Sequence, residues 1–259
     1  MTSIQRPGRR VFPIMGTMGS IVLSLDDQAR LGEDQVVFAC AAAKAELDLM
    51  EQRFSHYRAD SDISRWVAGH DLPADAVADI EHVLTECGRL HADSDGVFRA
   101  RSPRTGALDT AGYVKGYAIS RAVDVLRRLE VGNAVVGVGG DAMCIGRQSE
   151  DRPWRVAVQD PRRSHAIVAM VDAIDLAVAT SGTAERGDHI WNDDVPVDSG
   201  LLSFTVVGPD VTCADAYATI GFAMGETGMD WVAGHPGYHS LVIRTDGSMR
   251  SDAALVSAG

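Results

Sequence analysis

From residue 134 onward, short apolar runs rich in β-branched residues follow one another, with turn- and loop-forming residues between them. NAVVGVGGDAMCIG reads as two strands about a Gly139-Gly140-Asp141 turn, and WRVAVQ, HAIVAMVDA, LAVAT and LSFTVVG read as further strands. A single apolar helix is expected at 213–224, ending at Gly225, before HSLVIRTDGSMR closes the chain as a hairpin on an Asp-Gly turn. Parallel strands need a crossover of a dozen or more residues, whereas antiparallel neighbours need only a turn. Strand following strand therefore selects an α+β fold over a doubly wound parallel sheet.

The first half is helical by comparison. Residues 19–25 (GSIVLSL) read as a strand, and 33 to about 54 as a long Ala-rich helix with apolar residues at helical spacing. The polar stretch SHYRADSDISRW predicts a loop with a short helix behind it. A second helix is expected at 75–92, with Ile80, Leu84 and Cys87 on one stripe, and a third at 113–129, fed by a loop from Asp109 and stopped by Gly132. No repeat of 20–50 residues and no low-complexity linker divides the chain. The expected architecture is one compact domain, 1–259, with mixed, mainly antiparallel sheets flanked by helices.

Charge narrows the partners. Lys and Arg number 24 against 36 Asp and Glu, a formal net charge of −12. So acidic a surface argues against nucleic acid or an anionic membrane as partner, and a phosphate-bearing ligand needs local help from a metal or from backbone N–H groups. The four cysteines, Cys40, Cys87, Cys144 and Cys213, form no C-x-x-C pair and read as buried reduced thiols. No stretch has signal-peptide character, and none approaches the roughly 20 apolar residues of a membrane span. The expectation is a soluble, cytoplasmic protein without membrane insertion.

P-loop, dinucleotide-binding, zinc-protease and nucleophile-elbow signatures are all missing. Four glycine-punctuated polar islands remain. Asp215 and Thr219 lie four apart in an expected helix, hence on one face. They offer two hard oxygen ligands suited to Mg²⁺, or else Thr212 caps the helix and Asp215 completes a capping box. In Asp109–Gly116, Gly112 and Gly116 permit close backbone approach, and Lys115 is either a phosphate-binding cation at a helix N-terminus or a solvated helix lysine. Gly139–Asp141 is readable as a plain turn. Thr180–Ile190 crowds hydroxyls, glycines and His189 into a loop after a strand.

Taken in this order, the islands resemble the ApbE family, the FAD:protein FMN transferases, over about residues 11 to 230. Met15-Gly16-Thr17 is similar to the family's M-G-T. Glu51, Phe54-Ser55-His56-Tyr57 and Ser61-Asp62-Ile63 are similar to its E-x-x-F-S-x-Y stretch and the S-D-I after it. Asp109–Tyr117 resembles D-x-x-G-x-x-K-G-Y, Gly139–Asp141 the G-G-D turn, Thr180–Gly182 with Glu185-Arg186 the T-S-G-x-x-E-R motif, and Ala214–Thr219 the A-D-A-x-A-T motif. After His189-Ile190 the chain departs, reading Trp191-Asn192-Asp193-Asp194 in place of D-P-x-T-G. Phe98-Arg99 stands where the family has F-D.

The resemblance implies an ApbE-like, T-fold-like domain. It implies a Mg²⁺-dependent enzyme that cleaves the FAD pyrophosphate, attaches FMN by a phosphoester bond to a threonine of an acceptor protein, and releases AMP. By the same resemblance Asp215 and Thr219 hold Mg²⁺ with the backbone carbonyls of Gly112 and Ala218. Met15, Tyr57, Val97, Phe98, Asp109, Lys115 and Ile190 line the FAD site, and His189 accepts the proton of the attacking hydroxyl. An FAD pyrophosphatase and a non-catalytic flavin-binding protein are the competing readings.

Overall fold

The N-terminal motif Met15-Gly16 turns one strand into another. β1 (Arg9–Ile14) and β2 (Thr17–Leu23) pair antiparallel with Ile14 opposite Thr17, and the two residues between them have φ of +48° and +72°. That left-handed pair matches the twist of a two-residue hairpin. The computed structural model describes residues 8–102, 106–182, 191–192, 195–196, 199–252 and 256–257. β1 escapes the sequence pattern because Pro13 interrupts it; Pro13 is tolerated because β1 is the edge strand of its sheet. The strand expected at 19–25 ends at Leu23, where the Ser24 hydroxyl accepts the Asp27 N–H (3.1 Å) and starts α1 (Leu25–Leu31).

Three long helices follow: α2 (Glu33–Phe54), then beyond the short α3 (Asp62–Val67) come α4 (Ala74–Asp93) and α5 (Ala111–Arg128). On α4 the buried stripe runs through Ile80, Val83, Cys87 and Leu90, with Leu84 only partly covered. Gly132 is not the stop of α5. Glu130 takes the left-handed conformation there (φ +60°), and the N–H groups of Gly132 and Asn133 donate to Asp27 Oδ2 at 2.9 and 2.7 Å.

β3 (Ala134–Val138) and β4 (Asp141–Ile145) form the expected hairpin about Gly139-Gly140. β5 (Trp154–Asp160) and β6 (Arg163–Ala173) form another, and β7 (Leu176–Gly182) returns beside β4. The two-residue strands β8 (Trp191–Asn192) and β9 (Val195–Pro196) pair with each other. β10 (Leu201–Gly208), α6 (Val211–Met224), α7 (Thr227–Ala233), β11 (His239–Arg244), β12 (Met249–Ser251) and β13 (Val256–Ser257) complete the order. The main sheet has eight strands in the order β1-β2-β3-β4-β7-β10-β11-β12, and β13-β6-β5 form a second sheet. Every described strand pair is antiparallel.

Period-two alternation divides the core. Ala177, Ala179, Val206 and Val242 face the helix side, whereas Val178, Val207 and Leu241 face the side covered by β5 and β6. On the helix side α5 lies between α2 and α6. Phe204 of β10 is fully buried, and Gly221 of α6 leaves room for its ring. All four cysteines are free thiols, but only Cys40, Cys87 and Cys144 are buried as expected, and desolvation pushes these up to about 11, 12 and 12; Cys213 is half-buried. No described helix is long and apolar enough to cross a membrane.

Candidate functional site

The site grows from the first turns of α5. Thr110, fully buried, precedes the helix; its N–H donates to His56 Nε2 (3.2 Å), and its hydroxyl lies 3.0 Å from the same nitrogen. A ring nitrogen that accepts an N–H carries no proton. Burial works the same way, lowering the His56 pKa below the ordinary imidazole value against the raising influence of Asp109. Asp109 is exposed, and its Oδ1 accepts the Ala111 N–H (3.0 Å) in the first turn.

Gly112 and Lys115 lie within the first two turns. Lys115 is not a solvated lysine: it is 6% exposed. Its Nζ is 2.7 Å from Asp141 Oδ2 and 3.8 Å from Asp215 Oδ1. Asp141, which opens β4, is 1% exposed, and its Oδ1 accepts the Thr180 N–H of β7 (2.9 Å). The Gly-Gly-Asp segment is thus a turn whose aspartate reaches two other elements.

Asp215 has a similar reach. The helix cap is Asp210, whose Oδ1 accepts the Cys213 N–H (2.8 Å), and Thr212 lies inside the helix. The capping-box reading of Asp215 is therefore overturned. Its Oδ2 instead accepts the Gly116 N–H of α5 at 2.7 Å. This cross-helix bond requires close backbones. A Cβ on Gly116 would stand 2.6 Å from the Val211 carbonyl oxygen and 2.8 Å from Thr212 Cα, so Gly116 serves helix packing rather than approach to a ligand.

One turn beyond Asp215, Thr219 Oγ1 is 3.1 Å from Ser181 Oγ of β7. It also lies 3.4 Å from where a Gly112 Cβ would be, with the Phe98 ring at 3.3 Å on the same side. Asp215, Thr219, Gly112 and Phe98 are thereby gathered, with Ala218 fully buried one residue before Thr219. Asp215 offers a carboxylate and Thr219 a hydroxyl, hard oxygen donors of the kind that Mg²⁺ takes. Among the described residues there is no group of three or more His, Cys, Asp or Glu that could hold a metal ion.

Met15 and Tyr57 flank the end of α2. The Met15 N–H donates to Glu51 Oε1 (2.9 Å), and Tyr57 is fully exposed beside His56, whose bond to Thr110 joins this end of α2 to the start of α5. Val97 is half-buried against the helix-side core. His189 and Ile190, with Glu185 and Arg186, lie outside the described residues. Sequence reasoning placed Asp141, His56 and Ser181 in motifs but gave none of them a role, since the partners that define those roles lie on distant elements.

The fold and the site define a class. The flavin transferase ApbE of Vibrio cholerae, in a point-mutant form, superposes with a TM-score of 0.75 at 19% identity over 95% of this chain and 97% of that one. Among curated proteins, the FAD:protein FMN transferase of Haemophilus influenzae is 27% identical over 131 residues, 46% of this chain and 38% of its own length. That of Treponema pallidum is 27% identical over 222 residues, 75% of this chain and 61% of its own. The chain spans less than two thirds of either relative. The family model described as the ApbE family matches residues 15–104 and 99–242. The chain belongs to the ApbE family.

Proposed function

We propose that the whole chain, 1–259, is one flavin-transferase domain that cleaves FAD at its pyrophosphate, transfers FMN to a threonine hydroxyl of an acceptor protein and releases AMP. One observation carries the reading. Four motifs spread over about a hundred residues converge on one buried polar cluster, in which Lys115, Asp141, Thr180, Asp215 and Gly116 are linked at 2.7–3.8 Å. The names of the curated relatives support the choice of substrate.

Asp215, Thr219 and the carbonyls of Gly112 and Ala218 would hold Mg²⁺, which neutralises charge on the pyrophosphate oxygens as the bond breaks. Lys115 supplies a fixed positive charge beside them, backed by the N-terminus of α5. Met15, Tyr57, Val97, Phe98, Asp109 and Ile190 line the FAD site in this reading. His189 takes the proton of the threonine hydroxyl as its oxygen bonds to the FMN phosphorus and the bond to the AMP phosphate oxygen breaks. In so acidic a chain the local cations are what draw a dianionic ligand in.

The test is incubation with FAD, Mg²⁺ and a peptide of pattern D-x-x-S/T-A/G-A-T, read by mass spectrometry. FMN on the peptide threonine is the expected product. Unmodified peptide beside free FMN and AMP would make the protein a pyrophosphatase, and intact FAD a carrier.

A further inference from the structure

Asp141 is a buried carboxylate for which neither metal binding nor proton transfer has a use. The Lys115 ammonium stands between it and Asp215, at 2.7 Å from Asp141 and 3.8 Å from Asp215. The two carboxylates and one ammonium together carry a net negative charge that suits an added dication. With Asp141 neutral, the ammonium would be drawn toward Asp215, now 3.8 Å away, and a cation would have to displace it. Burying a salt bridge is weak evidence for stability, because desolvation offsets most of the attraction, so a positional role is the better account of the pair. The carboxylate is itself anchored: its Oδ1 holds the Thr180 N–H, and its backbone pairs with Val138 across the hairpin turn.

We infer that Asp141 is a positioning residue that holds the Lys115 ammonium off Asp215, leaving Asp215 to a divalent cation and the ammonium to the ligand's phosphate. The inference rests on the reading of Asp215 and Thr219 as metal ligands. It tethers the strand that carries Thr180 and Ser181 to the same lysine, so β4, β7 and α5 are fixed through one side chain.

The test is Mn²⁺ binding to the full chain without FAD, followed by loss of the free-ion electron paramagnetic resonance signal, with thermal unfolding in parallel. Asp141→Asn keeps an acceptor for the Thr180 N–H and removes the charge. It is expected to weaken Mn²⁺ by about tenfold or more, as loss of a group orienting a ligand does. Adding Lys115→Met should restore the affinity to near that of the wild type, since the competitor is gone. Wild-type affinity in Asp141→Asn, or a double variant as weak as the single one, overturns the inference. Should Asp141→Asn fail to fold, the double variant is compared with Lys115→Met alone. Equal affinity supports the inference, and a weaker double variant refutes it. A wild-type protein that binds no Mn²⁺ removes the metal reading and this inference with it, whereas binding that no variant alters removes the inference alone.

Discussion

Replacing Gly116 with alanine should loosen the contact on which the site depends. The new methyl would stand 2.6 Å from the Val211 carbonyl oxygen, 2.8 Å from Thr212 Cα and 2.9 Å from Asp215 Cβ. All three belong to the backbone or to its first side-chain atom, so no rotamer relieves the clash, and α5 and α6 must part by roughly 1 Å to reach ordinary contact. Overpacking of this kind costs about 1–3 kcal/mol, which the better helix propensity of alanine offsets by about 1 kcal/mol. The same movement stretches the 2.7 Å bond from the Gly116 N–H to Asp215, a bond to a charged group worth about 1.5–3 kcal/mol. The net loss is about 2–4 kcal/mol, or roughly 5–15 °C in Tm for a chain of this length. Gly88 of α4 is the control, because a Cβ there meets nothing within 4 Å. Gly88→Ala should stabilise by about 0.5–1 kcal/mol. Calorimetric melting of both variants, with Mn²⁺ affinity measured alongside, decides the matter. A Gly116→Ala protein that melts at or above the wild type and binds metal normally would refute the reasoning.

Other substitutions probe separate parts. Thr219→Val keeps the shape and removes the hydroxyl, so metal affinity should fall about tenfold while the lost contact to Ser181 costs only about 1 kcal/mol, as titration and melting would reveal. Asp215→Ala should abolish metal-dependent turnover while part of the FAD binding survives in a fluorescence titration; full activity would return Asp215 to a purely structural role. His56 is held neutral by burial, so its folded pKa lies below that of the unfolded chain. Its contribution is present at neutral pH and lost as pH falls from about 6.5; His56→Gln should flatten that part of a Tm-against-pH curve. Phe204→Ala empties a fully buried ring position in β10 and should cost about 3–5 kcal/mol in denaturant unfolding.

Much of the fold was legible because its signals are local. The short apolar runs LAVAT and LSFTVVG placed β7 and β10, and helical spacing placed α2 at 33–54. Local signals misled where a distant partner intervened. Gly132 looks like a helix stop, yet Asp27, more than a hundred residues away, takes its N–H. Thr212 and Asp215 have capping spacing, yet Asp210 caps the helix and Asp215 turns to α5.

The same division holds for the site. The sequence alone determined which residue types were available and in what order; spacing along a helix put Asp215 and Thr219 on one face, and only the order of the motifs, through the family resemblance, joined them to Asp109 and Lys115. Only the tertiary structure decided what surrounds them. Whether Lys115 is solvated or buried, and whether Asp141 merely turns the chain or holds that lysine, depends on packing among β4, β7, α5 and α6. Desolvation and charge pairing arise from neighbours brought together in space, and no local pattern encodes them.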